Sequence, residues 1–158
     1  MKNIAILGSS GSIGTQALDL ISKTKKEFKV CGLSVHSNID LLKKQIIKFK
    51  PFVVSVFDKE NADKLQKWCN EKKLKVKVFC GKEGLNKVAT IKSADMILSS
   101  VVGSIGLEPL LSAIDSGKDV AIANKEALVM AGNLIMKKAI QFIRRGLYIC
   151  LLILLLIL

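Results

Sequence analysis

Short apolar runs alternate with amphipathic stretches along most of the chain, and this alternation predicts the fold class. Runs rich in apolar and β-branched residues predict strands over residues 3–7, 28–35, 52–57, 74–79, 95–102 and 119–123. Helical spacing and capping signals predict helices over residues 13–21, 39–50, 59–71 and 107–116, a short helix or turn over 81–89, and a long helix from Lys125 onward. Such an alternation is typical of a doubly wound α/β fold, in which helices cover both faces of a mostly parallel sheet.

The turn after the first strand is rich in glycine. Gly8, Gly11 and Gly14 stand in the order G-S-S-G-S-I-G, between a buried strand and the start of a helix. Glycines let backbone N–H groups approach a pyrophosphate closely, and the helix N-terminus adds a partial positive charge. The spacing is GxxGxxG rather than GxGxxG, so it predicts a dinucleotide-binding loop of the wider Rossmann-like class. The alternative is an ordinary tight turn.

The end of the second predicted strand lacks an acidic residue. NAD-binding domains of this class usually carry Asp or Glu there, which accepts hydrogen bonds from the ribose 2′-hydroxyl. Here the strand is followed by His36, Ser37 and Asn38, whose imidazole, hydroxyl and amide groups can donate to a 2′-phosphate. The sequence therefore favours NADP(H) over NAD(H). The alternative is a polar loop in which Asn38 only caps the next helix.

The helix predicted over residues 39–50 is amphipathic and ends at Pro51. Its apolar residues recur at helical spacing, so we expect Leu42, Ile46, Ile47 and Phe49 to face the core.

Four polar or glycine-rich clusters follow predicted strands, at residues 8–14, 36–38, 99–106 and 124–126. The carboxyl ends of parallel strands meet at one edge of the sheet, where ligands of such folds bind. A lysine at this edge, Lys125, can bind a phosphorylated or polarised substrate. The alternative is a helix start in which Asn124 is the N-cap and Glu126 a favourable acid in the first turn.

The charge and cysteine content narrow the function classes further. The chain has 158 residues, enough for one domain, with 25 basic and 13 acidic side chains and a net charge of +12. The lysines are scattered and only 5% of residues are aromatic, so we expect a basic surface rather than a nucleic-acid interface. The four cysteines form no CxxC and there is a single histidine, which disfavours a zinc site and favours reduced thiols in the cytoplasm.

Three segments, GSSGSIGTQALDLI, SVHSNIDLL and SSVVGSIGLEPLLSAIDSGKDVAIANKEALVMAG, closely resemble the N-terminal domain of the 1-deoxy-D-xylulose 5-phosphate reductoisomerases. The resemblance covers residues 1–139 and implies an NADPH-binding, Rossmann-like domain. The family converts 1-deoxy-D-xylulose 5-phosphate to 2-C-methyl-D-erythritol 4-phosphate in isoprenoid biosynthesis. It uses NADPH and a divalent metal, Mg or Mn, and usually forms homodimers.

The resemblance also implies roles for individual residues. Lys125 would contact the substrate, and Val102 would line the nicotinamide side with Ser100 and Val101. Family members carry Gly-Lys-Asn where this chain has His36 to Asn38, so the missing lysine is a departure from the pattern. The cofactor contacts implied by the glycine loop, the 2′-phosphate turn and the nicotinamide end are Gly8, Ser10, Gly11, Ser12, Ile13, Gly14, His36, Ser37, Asn38, Ser100, Val101, Asn124 and Glu126.

Family members are more than twice as long as this chain, and their metal carboxylates follow the ANKE segment in an Asp-Ser-Glu motif. No acidic residue follows Glu126 here. The resemblance and these departures from it imply a truncated domain that binds NADPH without turnover or a metal ligand. Alternatives are a non-catalytic NADP-binding module, with or without a membrane tether, and another NADP-dependent oxidoreductase.

The composition changes near Ile140, which suggests domain limits of 1–139 and 140–158. Arg144 and Arg145 are the only arginines, and residues 147–158 are apolar throughout. This run is shorter than the roughly 20 residues of a spanning helix, so we do not expect membrane insertion. Three origins of the tail stay open: a shifted or prematurely ended reading frame, a membrane or interfacial anchor, and a buried strand or helix end.

Overall fold

The computed structural model describes residues 1–24, 27–123, 125–143 and 149–151. These residues form a seven-stranded sheet of order β4-β3-β2-β1-β5-β6-β7, and every strand pairing in this part of the chain is parallel. The strands are β1 (Lys2–Leu7), β2 (Phe28–Val35), β3 (Val53–Val56), β4 (Lys77–Cys80), β5 (Met96–Ser99), β6 (Asp119–Ile122) and β7 (Ile149–Leu151).

Helices connect the successive strands. They are α1 (Ser12–Lys23), α2 (Ile39–Phe49), α3 (Lys59–Glu71), α4 (Gly81–Ala89), α5 (Leu107–Asp115) and α6 (Lys125–Ile143), with a 3₁₀ turn at Ser104–Gly106. The prediction of a doubly wound α/β fold is therefore confirmed, since strands and helices alternate and the strand order reverses at β1.

Two apolar clusters lie on opposite faces of the sheet, because successive side chains of a strand point to opposite sides. Ile6 of β1 packs in the cluster that contains Leu42 of α2 and Leu65 of α3. Leu7, the next residue, packs in the cluster that contains Leu110 of α5 and Ile135 of α6. Helices thus cover both faces and hold the strand ends in fixed positions.

Four predicted strands are longer than the observed ones, and the one predicted over 119–123 ends at Ile122. Strand 74–79 was expected from the alternation around Val76 and Val78, whereas β4 begins at Lys77 and pairs only with the four residues of β3. The predictions over 52–57 and 95–102 shorten to Val53–Val56 and Met96–Ser99. Apolar residues beyond the ladder still pack in the core, so hydrophobicity alone does not mark where pairing ends.

The orientation of α2 differs from its prediction at one position. Leu42 and Ile46 are buried, and Phe49 is half-buried. Ile47 was expected to be inward but is 52% exposed, and the polar Gln45 is buried instead. Residues 42, 45, 46 and 49 are spaced by three or four positions and share one helix face, from which residue 47 is displaced.

The described parts of the C-terminal region continue the α/β pattern. Helix α6 runs past residue 140 to Ile143, with a non-helical residue at Ala131, and β7 pairs with β6. Residues 144–148 and 152–158 lie outside the described residues, so the limit at 139 and 140 and the origin of the tail stay predictions. Among the helices that the structure describes, none is both long and apolar enough to cross a bilayer.

Candidate functional site

The ends of neighbouring strands are level at the carboxyl edge of the sheet. Leu7 at the end of β1 pairs with Ser34 of β2 and with Ser99 of β5. Ser99 in turn pairs with Ile122 of β6, and the backbone N–H of Ala123 donates to Ser99 O at 3.0 Å. This register brings the segments after β1, β2, β5 and β6 to one edge, as the sequence predicts.

Two glycines of the first loop are required by the chain's own packing. Gly8 has φ +84°, and a Cβ there would lie 2.9 Å from the carbonyl oxygen of Ser100. A Cβ on Gly14 would lie 2.3 Å from the carbonyl oxygen of Gly8 and 2.7 Å from the Cα of Ser9. The loop therefore packs tightly against both α1 and the end of β5.

Gly11 differs from these two glycines. Its φ is −74°, and a Cβ there would meet only the carbonyl oxygen of Gly8, at 3.4 Å. Among the described residues no side chain caps α1 at Gly11, and the first turn of α1 has no acidic residue. The N-terminus of α1 can therefore receive an anion through its backbone N–H groups, and the missing side chain at Gly11 leaves room for it.

Ser9 is buried and holds the loop in place. Its N–H donates to Ser34 O at 2.8 Å, and its hydroxyl donates to Gln45 Oε1 at 2.7 Å. The Nε2 of Gln45 donates back to Ser9 O at 2.8 Å. The loop is thus hydrogen-bonded both to the end of β2 and to α2.

Ser100 connects β5 to the same loop. Its hydroxyl donates to Leu7 O at 2.7 Å and to Gly8 O at 3.2 Å, and its N–H donates to Leu7 O at 2.9 Å. The predicted cofactor contact at Ser100 therefore has a hydroxyl that already supports the loop backbone.

The turn after β2 carries the three predicted 2′-phosphate residues, and all three are exposed. The His36 ring stacks on Phe57, with centroids 5.2 Å apart and an interplanar angle of 19°. Asn38 caps α2, because its Oδ1 accepts from Leu41 N at 3.1 Å. The capping alternative is therefore present, and it leaves the Nδ2 group of Asn38 as the donor for a ligand.

A cavity of about 230 Å³ lies between these segments. Its lining includes Gly8, Ser10, Gly11, His36, Ser100 and Val101 from the predicted site, together with Val102. The other lining residues are Ser34, Val35, Ser55, Phe57, Leu85 and Ile105. The glycine loop offers hydrogen-bond donors to this cavity, and Val35, Leu85 and Ile105 offer apolar side chains. Such a lining suits a ligand that has an anionic part and an aromatic part.

Not all predicted site residues line this cavity. Ser12 and Ile13 begin α1, and the Ile13 side chain lines a different groove, between α1 and the sheet. Glu126 lies half-buried in the first turn of α6. Asn124 and the Lys125 side chain lie outside the described residues, so their predicted roles stay predictions.

The structure adds residues that the sequence reasoning missed. Phe57 ends the run predicted as the third strand, so the rule that ligands bind at carboxyl ends could have indicated it. Leu85 and Ile105 come from α4 and the 3₁₀ turn, and their apolar character looks the same as that of core residues. Gln45 could have been noticed only as a polar residue on the inward face of α2.

A metal site is not formed by the residues that the structure describes. In this part of the chain, no three His, Cys, Asp or Glu side chains come together in a way that could hold a metal ion. No metal is therefore assigned to the described residues.

Comparisons with known sequences agree with one another. The family model described as 1-deoxy-D-xylulose 5-phosphate reductoisomerase matches residues 4–132. The reductoisomerase of Endomicrobium trichonymphae is 52% identical over 141 residues, which are 89% of this chain and 37% of the relative. That of Clostridium botulinum strain Eklund 17B is 48% identical over 139 residues, 88% of this chain and 36% of the relative. The chain spans little more than a third of these curated relatives.

Solved structures give the same result. A DOX-P reductoisomerase in complex with NADPH, fosmidomycin and magnesium matches with TM-score 0.89 and 31% identity, over 96% of this chain and 36% of that one. The reductoisomerase of Zymomonas mobilis in complex with NADPH matches with TM-score 0.86 and 28% identity, over 95% of this chain and 38% of that one. A homoserine dehydrogenase from Thiobacillus denitrificans, at 18% identity and TM-score 0.60, shares the fold alone.

Proposed function

The chain belongs to the 1-deoxy-D-xylulose 5-phosphate reductoisomerase family, and we propose that it binds NADPH at the carboxyl edge of its sheet as the cofactor domain of that enzyme. The observation that carries the proposal is the loop at Gly11. The sterics of the chain require glycine at Gly8 and Gly14, whereas a Cβ at Gly11 would make only one ordinary contact, and no side chain caps the N-terminus of α1 there. A pyrophosphate is the kind of group that needs both the space and the donors.

The adenosine half of the cofactor would occupy the cavity beside this loop. Val35, Leu85 and Ile105 offer apolar contacts for adenine, and Ser10 lies on the loop side of the same cavity. Adenine is flat and largely apolar on its faces, so a cavity with apolar walls and polar groups at one end fits it.

The 2′-phosphate would be held by the turn after β2. His36 is oriented by Phe57, Ser37 is exposed, and Asn38 keeps its Nδ2 donor while its Oδ1 caps α2. This turn offers no carboxylate to repel the phosphate. We therefore assign to the chain a preference for NADPH over NADH, although the lysine of the family pattern is missing.

The nicotinamide end would lie toward Ser100 and Val101, with Asn124 and Glu126 as further cofactor contacts. Bound NADPH supplies the hydride for reduction of the sugar-phosphate substrate. Lys125 would bind that substrate, 1-deoxy-D-xylulose 5-phosphate, through its positive charge. The described residues form no cluster of three His, Cys, Asp or Glu side chains that could hold the divalent metal of the family.

We place the chain in the cytoplasm because its cysteine pattern favours reduced thiols, and we expect it to act as a homodimer because the family resemblance implies one. The exposed side chains of Val129 and Met130 on α6 offer apolar surface for a partner.

A titration with NADPH tests the proposal, with nicotinamide fluorescence as the readout on the purified chain. Saturable binding supports it, and Gly11→Ala is expected to weaken that binding at least about tenfold because the added methyl group occupies the anion's space. Gly132→Ala is the matched control, since a Cβ there meets nothing within 4 Å and the residue lies in α6, away from the cavity. Equal affinities of the Gly11 and Gly132 variants would contradict the proposed location.

A further inference from the structure

Gln45 is a buried polar residue that the proposed function does not yet use. It lies on α2 among core residues, with only 5% of its surface exposed, and its amide makes two hydrogen bonds to one residue, Ser9. Oε1 accepts from the Ser9 hydroxyl at 2.7 Å, and Nε2 donates to the Ser9 carbonyl oxygen at 2.8 Å. The two bonds point in opposite senses and so fix both the side chain and the backbone of Ser9.

These bonds set the direction of the next peptide group. In a trans peptide the C=O and the following N–H point in opposite directions. Because the Ser9 carbonyl points at Gln45, the N–H of Ser10 points away from α2. Ser10 is also a lining residue of the cavity next to Gly11.

We propose that Gln45 is a positioning residue for the phosphate-binding loop, which holds the Ser9–Ser10 peptide so that the Ser10 N–H is ready to donate to the cofactor's pyrophosphate. The inference rests on the proposed NADPH site and adds a residue to it from outside the loop. Gln45 does not touch the cofactor. It acts through Ser9, and preorganised donors bind an anion without the cost of ordering the loop.

The other anchor of α2 is separate from this contact. Asn38 caps the N-terminus of the helix through Leu41 N, two turns before Gln45. Loss of the Gln45 amide should therefore leave the 2′-phosphate turn in place. A ligand that carries the 2′-phosphate but lacks the pyrophosphate distinguishes a local effect on the loop from general damage to the fold.

The experiment compares NADPH and adenosine 2′-monophosphate binding, by calorimetry, to the unaltered chain and to Gln45→Leu. We expect the Kd for NADPH to rise about tenfold, the equivalent of about 1.4 kcal/mol. The Kd for adenosine 2′-monophosphate should stay within about twofold. Gln66→Leu is the matched control, because Gln66 is a half-buried α3 residue whose amide donates to Asn70 and which lies outside the cavity lining, and both affinities should be unchanged.

A second variant covers the case in which Gln45→Leu does not fold. Ser9→Ala removes the hydroxyl bond to Oε1 but keeps the carbonyl that Nε2 binds, so a smaller rise in the NADPH Kd is expected, of about threefold. Equal rises for both ligands, or no rise for NADPH in either variant, would overturn the positioning role. If the unaltered chain itself binds no NADPH, the proposed function fails and this inference fails with it. Binding by the unaltered chain with no effect of the variants rejects the inference alone.

Discussion

The imidazole of His36 stacks on the ring of Phe57, with centroids 5.2 Å apart, where the second and third strands of the sheet end. The two residues come from different turns, and backbone bonds join those turns as well. Phe57 N donates to Val35 O and Asp58 N donates to His36 O, both at 3.0 Å. The stack therefore holds an exposed imidazole in one orientation at the edge of the cavity, where a 2′-phosphate would bind.

Removal of the stack should reduce the preference for NADPH over NADH. Phe57→Leu keeps apolar bulk but loses the aromatic face, so His36 becomes more mobile and the ratio of the two Kd values should shrink about threefold. Competitive titration of the two cofactors measures this ratio of Kd values. Phe52→Leu is the control, because Phe52 is a half-exposed ring that lies outside the cavity lining. An unchanged ratio in Phe57→Leu would show that the stack has no part in selectivity.

Gly14→Ala should destabilise the fold itself. The new Cβ would lie 2.3 Å from the Gly8 carbonyl oxygen and 2.7 Å from the Cα of Ser9, and both of these are backbone atoms. We expect a loss of about 1–3 kcal/mol in the free energy of unfolding, measured by urea denaturation. Gly11→Ala should stay within about 0.5 kcal/mol of the unaltered chain, since its Cβ meets one atom at 3.4 Å. Similar losses in both variants would contradict the steric distinction between the two glycines.

Lys118 should make stability depend on pH. The side chain is 7% exposed, and its Nζ donates to Ala94 O at 2.7 Å. Burial lowers the pKa of Lys118 below its ordinary 10.5, an effect that the nearby Cys31 and Asp95 partly oppose. Between the lowered pKa and 10.5 the unfolded chain binds more protons than the folded one, so stability rises with pH across that window. Below the lowered pKa both states are protonated, and Lys118 adds no further pH dependence.

The difference in free energy of unfolding between the protein with Lys118 and its Lys118→Met variant isolates the contribution of the lysine's ionisation. Both proteins should carry Cys31→Ala, because burial also raises the pKa of the Cys31 thiol. As pH rises toward 10.5, the ordinary pKa of lysine, the lysine form should gain free energy of unfolding relative to the Met form. If the difference in free energy of unfolding stays constant with pH, the pKa of Lys118 is not lowered in the folded chain.

Thiol reactivity should follow burial. Cys80 at the end of β4 is exposed, whereas Cys31 and Cys69 are fully buried, and burial raises the pKa of both buried thiols. The thiolate is the reactive form, so iodoacetamide should label Cys80 at least about tenfold faster than either buried cysteine. Peptide mapping by mass spectrometry gives each rate. Fast labelling of Cys31 or Cys69 in the folded chain would show that the core is open.

The general plan of the site could be predicted because it depends on local patterns. A strand followed by G-S-S-G-S-I-G and a helix is a contiguous signal, and strand ends in a parallel sheet meet at one edge whatever their exact length. These two signals predict that Gly8, His36 and Ser100 lie at the same edge of the sheet. The structure places all three around one cavity.

The parts that could not be predicted depend on contacts between distant segments. Gln45 and Ser9 are separated by 36 residues, and nothing local indicates that a buried amide on α2 should meet the glycine loop. Ile47 was predicted to face the core because it is apolar, whereas its position on the helix leaves 52% of its surface exposed. Leu85 and Ile105 line the cavity, yet apolar residues have the same pattern whether they face the core or a ligand.

Amide chemical shifts during an NADPH titration would locate the cofactor site on the chain. With a ¹⁵N-labelled chain, we expect the largest shifts on the loop from Gly8 to Ile13 and on the turn from His36 to Asn38. NADH should cause smaller shifts in the second group, because it lacks the 2′-phosphate. Shifts confined to other parts of the sheet, or none at saturating NADPH, would contradict a cofactor site at this edge.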